Sequence, residues 1–298
     1  MVPISDWKLS VVMPAHNEEQ NLPPVIRGLT GTLRKEGIPY EIIVVNDNST
    51  DGTAEVIRAL RAEDPSIRTV DRSPPNGFGR AIRSGLDAVT GEVVVIYMAD
   101  ASDHPRDAVA YYRKIREGYD CVFGSRFINH SQVTDYPLVK RIVNRMVNKA
   151  MQWLFWCRFN DLTNAFKAYR SYVLQEAGPF RACHFNITIE MSLGALIRNY
   201  NIAQIPISWT GRTWGSSNLH LGEMGRRYLS TLVKAFAEKV LIADDLISER
   251  IELHARRQSQ LNFQEQRLAV LEQRLDEVQQ QLHAVLAPDD DARQRPAA

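Results

Sequence analysis

The chain has 298 residues, 44% of them hydrophobic, and its 36 Lys and Arg against 35 Asp and Glu leave a net charge of +1. This suits one or two globular domains, and the near-zero charge argues against a polyanion binder, so no nucleic-acid partner is expected. The three cysteines, Cys121, Cys157 and Cys183, fit neither a disulfide framework nor a CxxC zinc site, which favours a reducing, cytoplasmic location. No signal peptide and no apolar run of about 18 residues is found, so no transmembrane helix is expected.

Short apolar strands alternate with amphipathic helices in the N-terminal part of the chain. Strands are predicted at 9–13, 41–45, 67–70 and 92–98, and helices at 19–36, 54–62 and 80–89. This alternation predicts an α/β fold with a mostly parallel sheet and flanking helices.

Polar clusters follow three of these strands. They read His16-Asn17-Glu18, Asn46-Asp47-Asn48 and Asp100-Ala101-Ser102-Asp103. Because ligands of parallel sheets collect beyond the carboxyl ends of the strands, we expect the clusters to converge on one ligand site. Solvated loop caps would explain any one cluster, but they explain all three less well.

The carboxylates of the last cluster suggest a metal. Asp100 follows an apolar strand and Asp103 comes three residues later, a spacing that suits a hard divalent cation carrying a diphosphate. Asp103 is also well placed to cap a helix beginning near Pro105. Asp100 is therefore the favoured metal ligand, and the role of Asp103 stays open.

Two arginines are candidates for binding phosphate. Arg126 follows a predicted strand at 119–123, and Arg212 precedes the donor-rich segment 213–218. Guanidinium groups bind phosphates bidentately. Structural salt bridges are the alternative for each arginine.

Residues 140–158 form a basic, aromatic segment with five basic residues and no acidic one. Trp153, Phe155 and Trp156 crowd its end. A basic face with aromatic anchors is typical of an interfacial membrane helix, which predicts a protein held peripherally at a membrane. An ordinary core helix with its Lys and Arg outside is the alternative.

The C-terminal part carries a heptad pattern. From about residue 228 one long helix is predicted, with a seam at Val233, Val240, Ile247, His254, Leu261, Leu268, Leu275 and Leu282. A companion series runs through Phe236, Ala243, Arg250, Arg257, Gln264, Leu271, Val278 and Val285. Both series are mostly apolar only from Leu261 onward, over about three heptads, which predicts a coiled coil and a homo-oligomer. Folding back on its own domain or docking on another membrane protein is the alternative. Residues 288–298 read as a disordered tail.

The motifs together resemble family 2 inverting glycosyltransferases of the GT-A fold, most of all the dolichyl- or polyprenyl-phosphate mannose or glucose synthases. The matching segments, in family order, are VVMPAHNEEQN at 11–21, VVNDNSTDGT at 44–53, NGFGRAIRSGL at 76–86, MADASDHP at 98–105, GSRF at 124–127, NDLTNAFKAYR at 160–170 and PISWTGRTWGSSN at 206–218. The resemblance implies a glycosyltransferase domain over 1–228. The heptad pattern predicts the long helix that follows at 229–287, in place of the C-terminal membrane helices frequent in the family.

The resemblance also implies roles for single residues. The nucleotide is held by Pro14, His16, Glu18, Val45 and Asp47. The DxD segment, which binds Mg²⁺ or Mn²⁺ and the donor diphosphate, is matched by Ala99, Asp100 and Ser102, with Asp103 as a further metal candidate. The donor and acceptor phosphates are contacted by Arg126, Arg212 and Asn218.

The implied reaction transfers a hexose from a nucleotide sugar to a polyprenyl phosphate with inversion. GDP-mannose is the favoured donor, ahead of UDP-glucose and UDP-N-acetylhexosamine. A phosphate acceptor is already a nucleophilic oxyanion, so positioning and charge neutralisation by Asp100 and its cation supply most of the rate. A hydroxyl acceptor in cell-surface glycan synthesis is the alternative, and it would make Asp161 the candidate base.

Three positions depart from the family pattern. Met98 replaces the first Asp of the DxD segment, Asn46 replaces the first of the paired aspartates, and Asn218 replaces a lysine. A thioether is a poor ligand for a hard cation, so a noncatalytic scaffold of the same fold is a further alternative. A sugar-nucleotide pyrophosphorylase is disfavoured, because residues 14–18 stand where those enzymes have a glycine-rich loop.

Overall fold

A computed structural model describes residues 7–211 and 221–286 of the chain. One compact unit runs to Ile247, and the chain from Ser248 onward forms a second unit. In the described ranges, no helix is long and apolar enough to span a bilayer.

The elements alternate as the apolar pattern predicted. The strands are β1 (Leu9–Ala15), β2 (Tyr40–Asn46), β3 (Ile67–Asp71), β4 (Val93–Ile96), β5 (Cys121–Ser125), β6 (Gln132–Thr134), β7 (Lys167–Arg170), β8 (Ile202–Pro206) and β9 (Ser208–Thr210). The helices are α1 (Leu22–Lys35), α2 (Thr53–Glu63), α3 (Phe78–Leu86), α4 (Pro105–Arg116), α5 (Leu138–Phe155), α6 (Ser171–Ala177), α7 (Ile187–Ile197), α8 (Leu221–Leu241) and α9 (Ala243–Leu286).

The main sheet has seven strands in the order β3-β2-β1-β4-β7-β5-β8. Strands β3, β2, β1 and β4 are parallel to one another, β7 is antiparallel to both neighbours, and β8 is parallel to β5. Strands β6 and β9 form a separate parallel pair. The predicted α/β fold with a mostly parallel sheet is confirmed, and the arrangement is GT-A-like.

Helices cover both faces of the sheet, which explains why the central strands are mostly apolar. All seven residues of β1 are buried. Val11 and Met13 lie in one apolar cluster and Val12 lies in the other, because successive side chains of a strand point to opposite faces. The sheet therefore holds the ends of its strands at fixed positions, and the loops that leave them inherit this rigidity.

Helix α4 directly follows the last polar cluster, and its first turn shows which residue caps the helix. It begins at Pro105 as expected, but the capping residue is His104, whose Nδ1 accepts the Arg106 N–H at 3.2 Å. Asp103 is therefore not the helix cap. Its carboxyl has a different position, within the turn that follows β4.

The C-terminal helix differs from the prediction in one respect. The expected single helix is broken at Ile242 into α8 and α9. Helix α8 belongs to the compact unit: Ala235 is buried, and Asn186 next to α7 donates to the Thr231 hydroxyl at 3.0 Å. The unit thus extends past the predicted boundary at 228, because Leu232, Ala235 and Phe236 pack in its apolar core, whereas the seam residues Val233 and Val240 stay exposed.

Within the second unit, α9 exposes its apolar seam. Leu268, Leu271, Leu275 and Val278 are all more than half exposed. The coiled coil itself stays a prediction, as does the tail at 288–298, which lies outside the described residues.

Candidate active site

Three loops lie side by side at the carboxyl ends of β1, β2 and β4, as predicted from their polar residues. The Asp47 N–H donates to the Ala15 carbonyl at 2.8 Å, which extends the β1–β2 ladder by one residue. The His16 Nδ1 lies 2.9 Å from the Asp47 carbonyl oxygen, so Nδ1 carries the proton and donates. We call these three loops the donor edge.

Each loop of the donor edge turns through a left-handed residue. Asn17 has φ 58°, Asn48 has φ 55° and Ala101 has φ 62°. Asparagine tolerates this conformation, whereas an alanine there costs about 1–2 kcal/mol. The strained turn at Ala101 joins Asp100 to Ser102, at the segment predicted to bind the diphosphate.

Asp47 uses both carboxylate oxygens within the protein. One forms an ion pair with Arg72, and the other accepts the Gly77 N–H at 2.7 Å. Arg72 had no signal in the sequence, because it follows β3 and meets Asp47 only through the sheet order. Asp47 therefore ties the β2 loop to the start of α3, and its contact with a nucleotide stays a prediction.

Four other predicted donor residues are buried at this edge. Pro14 and Val45 lie inside β1 and β2, where they pair with each other in the ladder. Ala99 belongs to the apolar core. Glu18 accepts a hydrogen bond from the Asn21 amide at 2.6 Å. Their predicted contacts with the donor stay predictions.

The turn after β4 gives Asp100 and Asp103 different environments. Asp100 accepts the Ser102 N–H at 3.1 Å. Asp103 faces inward: its Oδ2 accepts the Met98 N–H at 3.0 Å, while its buried Oδ1 has no hydrogen-bond partner. Burial, aided by the Asp100 charge, raises the pKa of Asp103 well above its usual range. Burial in this turn therefore favours the protonated form of the Asp103 carboxyl.

These environments decide how a cation fits. In the described part of the chain, no three His, Cys, Asp or Glu side chains gather in a metal-binding group. The Asp103 carboxyl faces inward and accepts the Met98 N–H, so Asp100 is the carboxylate of this turn that fits a hard cation. Oxygens of the donor's own diphosphate would have to supply further ligands. The predicted ligation by Ser102 stays a prediction.

A buried ion pair joins Arg126, a predicted phosphate contact, to Asp161; we call this pair and the side chains around it the acceptor side, after its predicted role. Arg126 binds Asp161 with two side-chain hydrogen bonds of 2.8 Å each, and its backbone N–H adds a third at 3.0 Å. The Arg126 side chain is 8% exposed and that of Asp161 is fully buried. Burial alone would lower the pKa of Arg126, but the charge and hydrogen bonds of Asp161 raise it above its usual value.

This pair changes two predictions. Asp161 is fully buried and both its oxygens are engaged, so an acceptor hydroxyl cannot reach it in this arrangement. Arg126 forms a buried salt bridge with Asp161, which was the alternative to phosphate binding. Its guanidinium lies 5.4–5.8 Å from the centroids of three rings, those of Phe127, Tyr136 and Trp209.

The Asp161 loop is held by residues that the sequence analysis missed. Asn148 of α5 accepts the Leu162 N–H at 2.7 Å, and the Lys167 ammonium donates to the Leu162 carbonyl at 2.8 Å. Burial lowers the pKa of Lys167 to about 7. Two asparagines one turn apart, Asn144 and Asn148, were a usable signal in this helix. Lys167 offered none.

Helix α5 presents most of its apolar residues to solvent. Its buried residues are Asn148, Met151 and Phe155. Trp153 is 78% exposed and Trp156, just past the helix end, is 72% exposed. Other exposed apolar residues are Leu138, Val139, Ile142, Val143 and Met146. The alternative of an ordinary core helix is therefore wrong. We call this surface the α5 outer face.

Arg212 and Asn218, the remaining predicted phosphate contacts, lie outside the described residues. Their roles stay predictions.

Comparisons with known proteins agree on the family. The family model described as glycosyl transferase family 2 matches residues 10–185. A curated relative, polyprenol monophosphomannose synthase of Mycolicibacterium smegmatis, is 26% identical over 215 residues, which cover 70% of this chain and 80% of the relative.

Solved structures agree on the fold. Glucosyl-3-phosphoglycerate synthase from Mycobacterium tuberculosis, in complex with Mn²⁺, UDP and glucosyl-3-phosphoglycerate, has a TM-score of 0.59 at 25% identity, covering 78% of this chain and 80% of that one. A structure described as a mycobacterial protein has a TM-score of 0.61 at 23% identity, covering 78% and 75%.

Proposed function

The chain belongs to glycosyl transferase family 2 and is a glycosyltransferase, and we propose that it transfers a hexose from a nucleotide sugar to a polyprenyl phosphate at a membrane surface. Mannose from GDP-mannose is the favoured sugar, because the curated relative is a polyprenol monophosphomannose synthase. UDP-glucose and UDP-N-acetylhexosamine are the competing donors.

The observation that carries this proposal is the α5 outer face. It combines exposed apolar side chains with basic ones, including Lys140, Arg141, Arg145 and Lys149. Helices of this composition lie in the headgroup region of anionic membranes. Arg145 also stacks 5.0 Å from the Phe127 ring, which is itself next to Arg126. The lipid-facing helix thus borders the acceptor side of the site.

The conformation of Trp156 adds to this argument. Its backbone is left-handed, with φ 46° and ψ 47°, at a helix end where glycine is the usual residue. A bulky residue there costs folding free energy. Lys239 of α8 holds the same end of the helix by donating to the Phe155 carbonyl at 2.8 Å. An exposed tryptophan kept at a strained position is consistent with a role for its side chain in membrane binding.

The chemistry follows from a phosphate nucleophile. An oxygen of the acceptor phosphate attacks the anomeric carbon from the face opposite the diphosphate; the carbon–oxygen bond to the nucleotide breaks, and a nucleoside diphosphate leaves. No general base is needed, which agrees with the burial of Asp161. Asp100 would hold Mg²⁺ or Mn²⁺, which neutralises the diphosphate charge when bound. Met98 adds no ligand, so the donor itself must complete the cation's shell.

A panel assay tests this proposal. GDP-mannose, UDP-glucose and UDP-N-acetylglucosamine are each offered with a short polyprenyl phosphate or with 3-phosphoglycerate, in Mg²⁺ and in Mn²⁺, and products are identified by mass spectrometry. We expect hexosyl phosphoprenol from GDP-mannose. Transfer only to 3-phosphoglycerate would contradict the lipid acceptor, and no transfer to any acceptor would favour the noncatalytic scaffold.

We also propose that α9 joins copies of the chain. Leu268, Leu271 and Leu275 leave an apolar stripe exposed within the second unit, and pairing stripes between chains removes it from water. With Leu261 at position a, Arg267 and Glu272 attract across a parallel pair. Truncation after residue 258 should yield a monomer that still transfers sugar. An unchanged mass in light scattering would exclude this helix as the oligomerisation element.

A further inference from the structure

A buried asparagine, Asn148, lies in the middle of α5, a helix whose charged residues are exposed. Asn148 is 1% exposed, in contrast to Lys149 beside it, which is exposed. A buried amide costs folding free energy unless its oxygen and nitrogen are both hydrogen-bonded. The hydrogen-bond partners of Asn148 therefore indicate its role.

Every polar atom of the Asn148 side chain is used. Its Oδ1 accepts the backbone N–H groups of Leu162 at 2.7 Å and Thr163 at 3.4 Å. Its Nδ2 donates to the Thr163 hydroxyl at 2.9 Å and to the Asn144 side-chain oxygen at 2.6 Å. One side chain of α5 thus holds two consecutive amides and a side chain of the loop that follows Asp161.

The opposite side of this loop is held by a lysine. The Lys167 Nζ donates to the Leu162 carbonyl at 2.8 Å and also to the Asn164 carbonyl. The amides of residues 162 and 163 are thus bound from α5, while carbonyls of residues 162 and 164 are bound from β7. A loop fastened through both kinds of backbone group has little freedom to shift.

The loop in turn sets the position of Arg126. Asp161 binds the Arg126 guanidinium through two hydrogen bonds, and the Thr163 hydroxyl lies 3.3 Å from the Asp161 Oδ1. A displaced Asp161 would carry the guanidinium away from the ring of Trp209 or leave it unpaired. The contacts form a continuous path from Asn148, through the loop, to Arg126.

We propose that Asn148 is a positioning residue for the acceptor side of the site. By holding the amides of Leu162 and Thr163, it fixes Asp161 and through it the Arg126 guanidinium. The α5 outer face and the acceptor side are then parts of one rigid unit, so the helix that meets the lipid also positions the Arg126–Asp161 pair. This last step rests on the proposed lipid-phosphate acceptor; the positioning itself does not.

The main test is Asn148→Ala, read out in two ways. Hydrogen–deuterium exchange of the Leu162 and Thr163 amides should rise at least tenfold, because both lose their acceptor. In steady-state transfer, kcat/KM for polyprenyl phosphate should fall at least tenfold, while KM for the nucleotide sugar changes less than twofold. A merely structural role would not separate acceptor from donor in this way.

The matched control is Gln152→Ala, one helical turn further along α5. The Gln152 side chain donates to the Arg158 carbonyl at 3.0 Å and, in the part of the chain that the structure describes, forms no hydrogen bond with residues 161–164. Neither amide exchange at Leu162 and Thr163 nor acceptor kcat/KM should change by more than twofold.

A second, milder variant tests the same contacts in case Asn148→Ala does not fold. Thr163→Val is nearly isosteric and removes the hydroxyl between Asn148 and Asp161, but leaves both backbone hydrogen bonds. We expect a smaller, roughly threefold loss of acceptor kcat/KM with the donor KM unchanged. The proposal is overturned if this variant has no effect, or if folded Asn148→Ala keeps slow exchange or loses donor and acceptor kinetics equally. Amide exchange decides the positioning even if the acceptor is not a polyprenyl phosphate.

Discussion

The donor edge and the acceptor side of this site are built in different ways. The donor edge consists of short loops at the ends of three neighbouring parallel strands, so the sheet holds them and their polar residues are contiguous in sequence. The acceptor side is assembled from side chains far apart in the chain, such as Arg126, Asn148, Asp161 and Trp209. The backbone of the sheet holds the residues of the donor edge in place, whereas side-chain contacts hold those of the acceptor side. Local substitutions should therefore act differently in the two.

The largest expected effect is at the donor edge. Asp100→Asn should lower turnover at least about 100-fold, because the diphosphate loses the ligand that places its neutralising cation. Asp103→Asn is the matched control. Its carboxyl is turned inward and its pKa is raised by burial, so activity should stay within about threefold of wild type. Initial rates with saturating Mg²⁺ or Mn²⁺ measure both.

Two results would reverse this assignment. An equal loss in both variants would make Asp103 a ligand as well. Full activity of Asp100→Asn, or undiminished wild-type activity in EDTA without added cation, would remove the metal hypothesis.

The next effect is on the α5 outer face. The double variant Trp153→Ala, Trp156→Ala should bind anionic vesicles at least about tenfold more weakly, because two aromatic anchors are lost. Binding of the wild type should weaken with salt, since each basic residue near an anionic surface contributes about 1 kcal/mol. Sedimentation with phosphatidylserine vesicles measures this, with phosphatidylcholine vesicles as the control. If the wild type does not sediment at low salt, the lipid acceptor is reached by another surface.

A smaller effect concerns the pH dependence of stability. Because the pKa of Asp103 is raised by folding, the native carboxyl stays protonated above about pH 4, where the unfolded one ionises. The free energy of unfolding then falls as pH rises from about 4 toward the folded pKa, by at most about 1.4 kcal/mol per pH unit. Asp103→Asn should lose this term, so its stability relative to wild type improves from pH 4.5 to 7. The difference in the free energy of unfolding between variant and wild type is measured by urea unfolding, and a difference that does not change from pH 4.5 to 7 would contradict the raised pKa of Asp103.

The smallest effect compares the two tryptophans in the absence of lipid. Trp156→Gly should raise the free energy of unfolding by about 1 kcal/mol, because glycine adopts φ 46° without strain. Trp153→Gly, inside the last turn of α5, should lower it by about 1 kcal/mol, the usual cost of glycine in a helix. Thermal unfolding of both variants checks the opposite signs. Destabilisation by Trp156→Gly would mean that packing on α8 outweighs the strain.

The sequence by itself determined the α/β class, the mostly parallel sheet and the three loops of the donor edge. These depend on signals that are local in the chain: apolar runs of strand length, turn residues at their ends and polar residues directly after them. The composition of residues 140–158 also indicated a basic, aromatic helix, but left open whether its tryptophans face solvent or the core. They were weaker for the C-terminal region, where a continuous heptad pattern does not reveal the break at Ile242.

Only the tertiary structure decided which charged groups are paired, buried or neutral. Asp100 and Asp103 are alike in sequence, yet one fits a cation and the other is an inward-facing carboxyl whose pKa burial raises. Asp161 is held by Arg126 and, through its loop, by Asn148 and Lys167, and none of these pairings is visible in the spacing. The physical reason is that charge state and hydrogen bonding depend on burial and on partners distant in sequence, and the packing of the sheet and its helices brings these together.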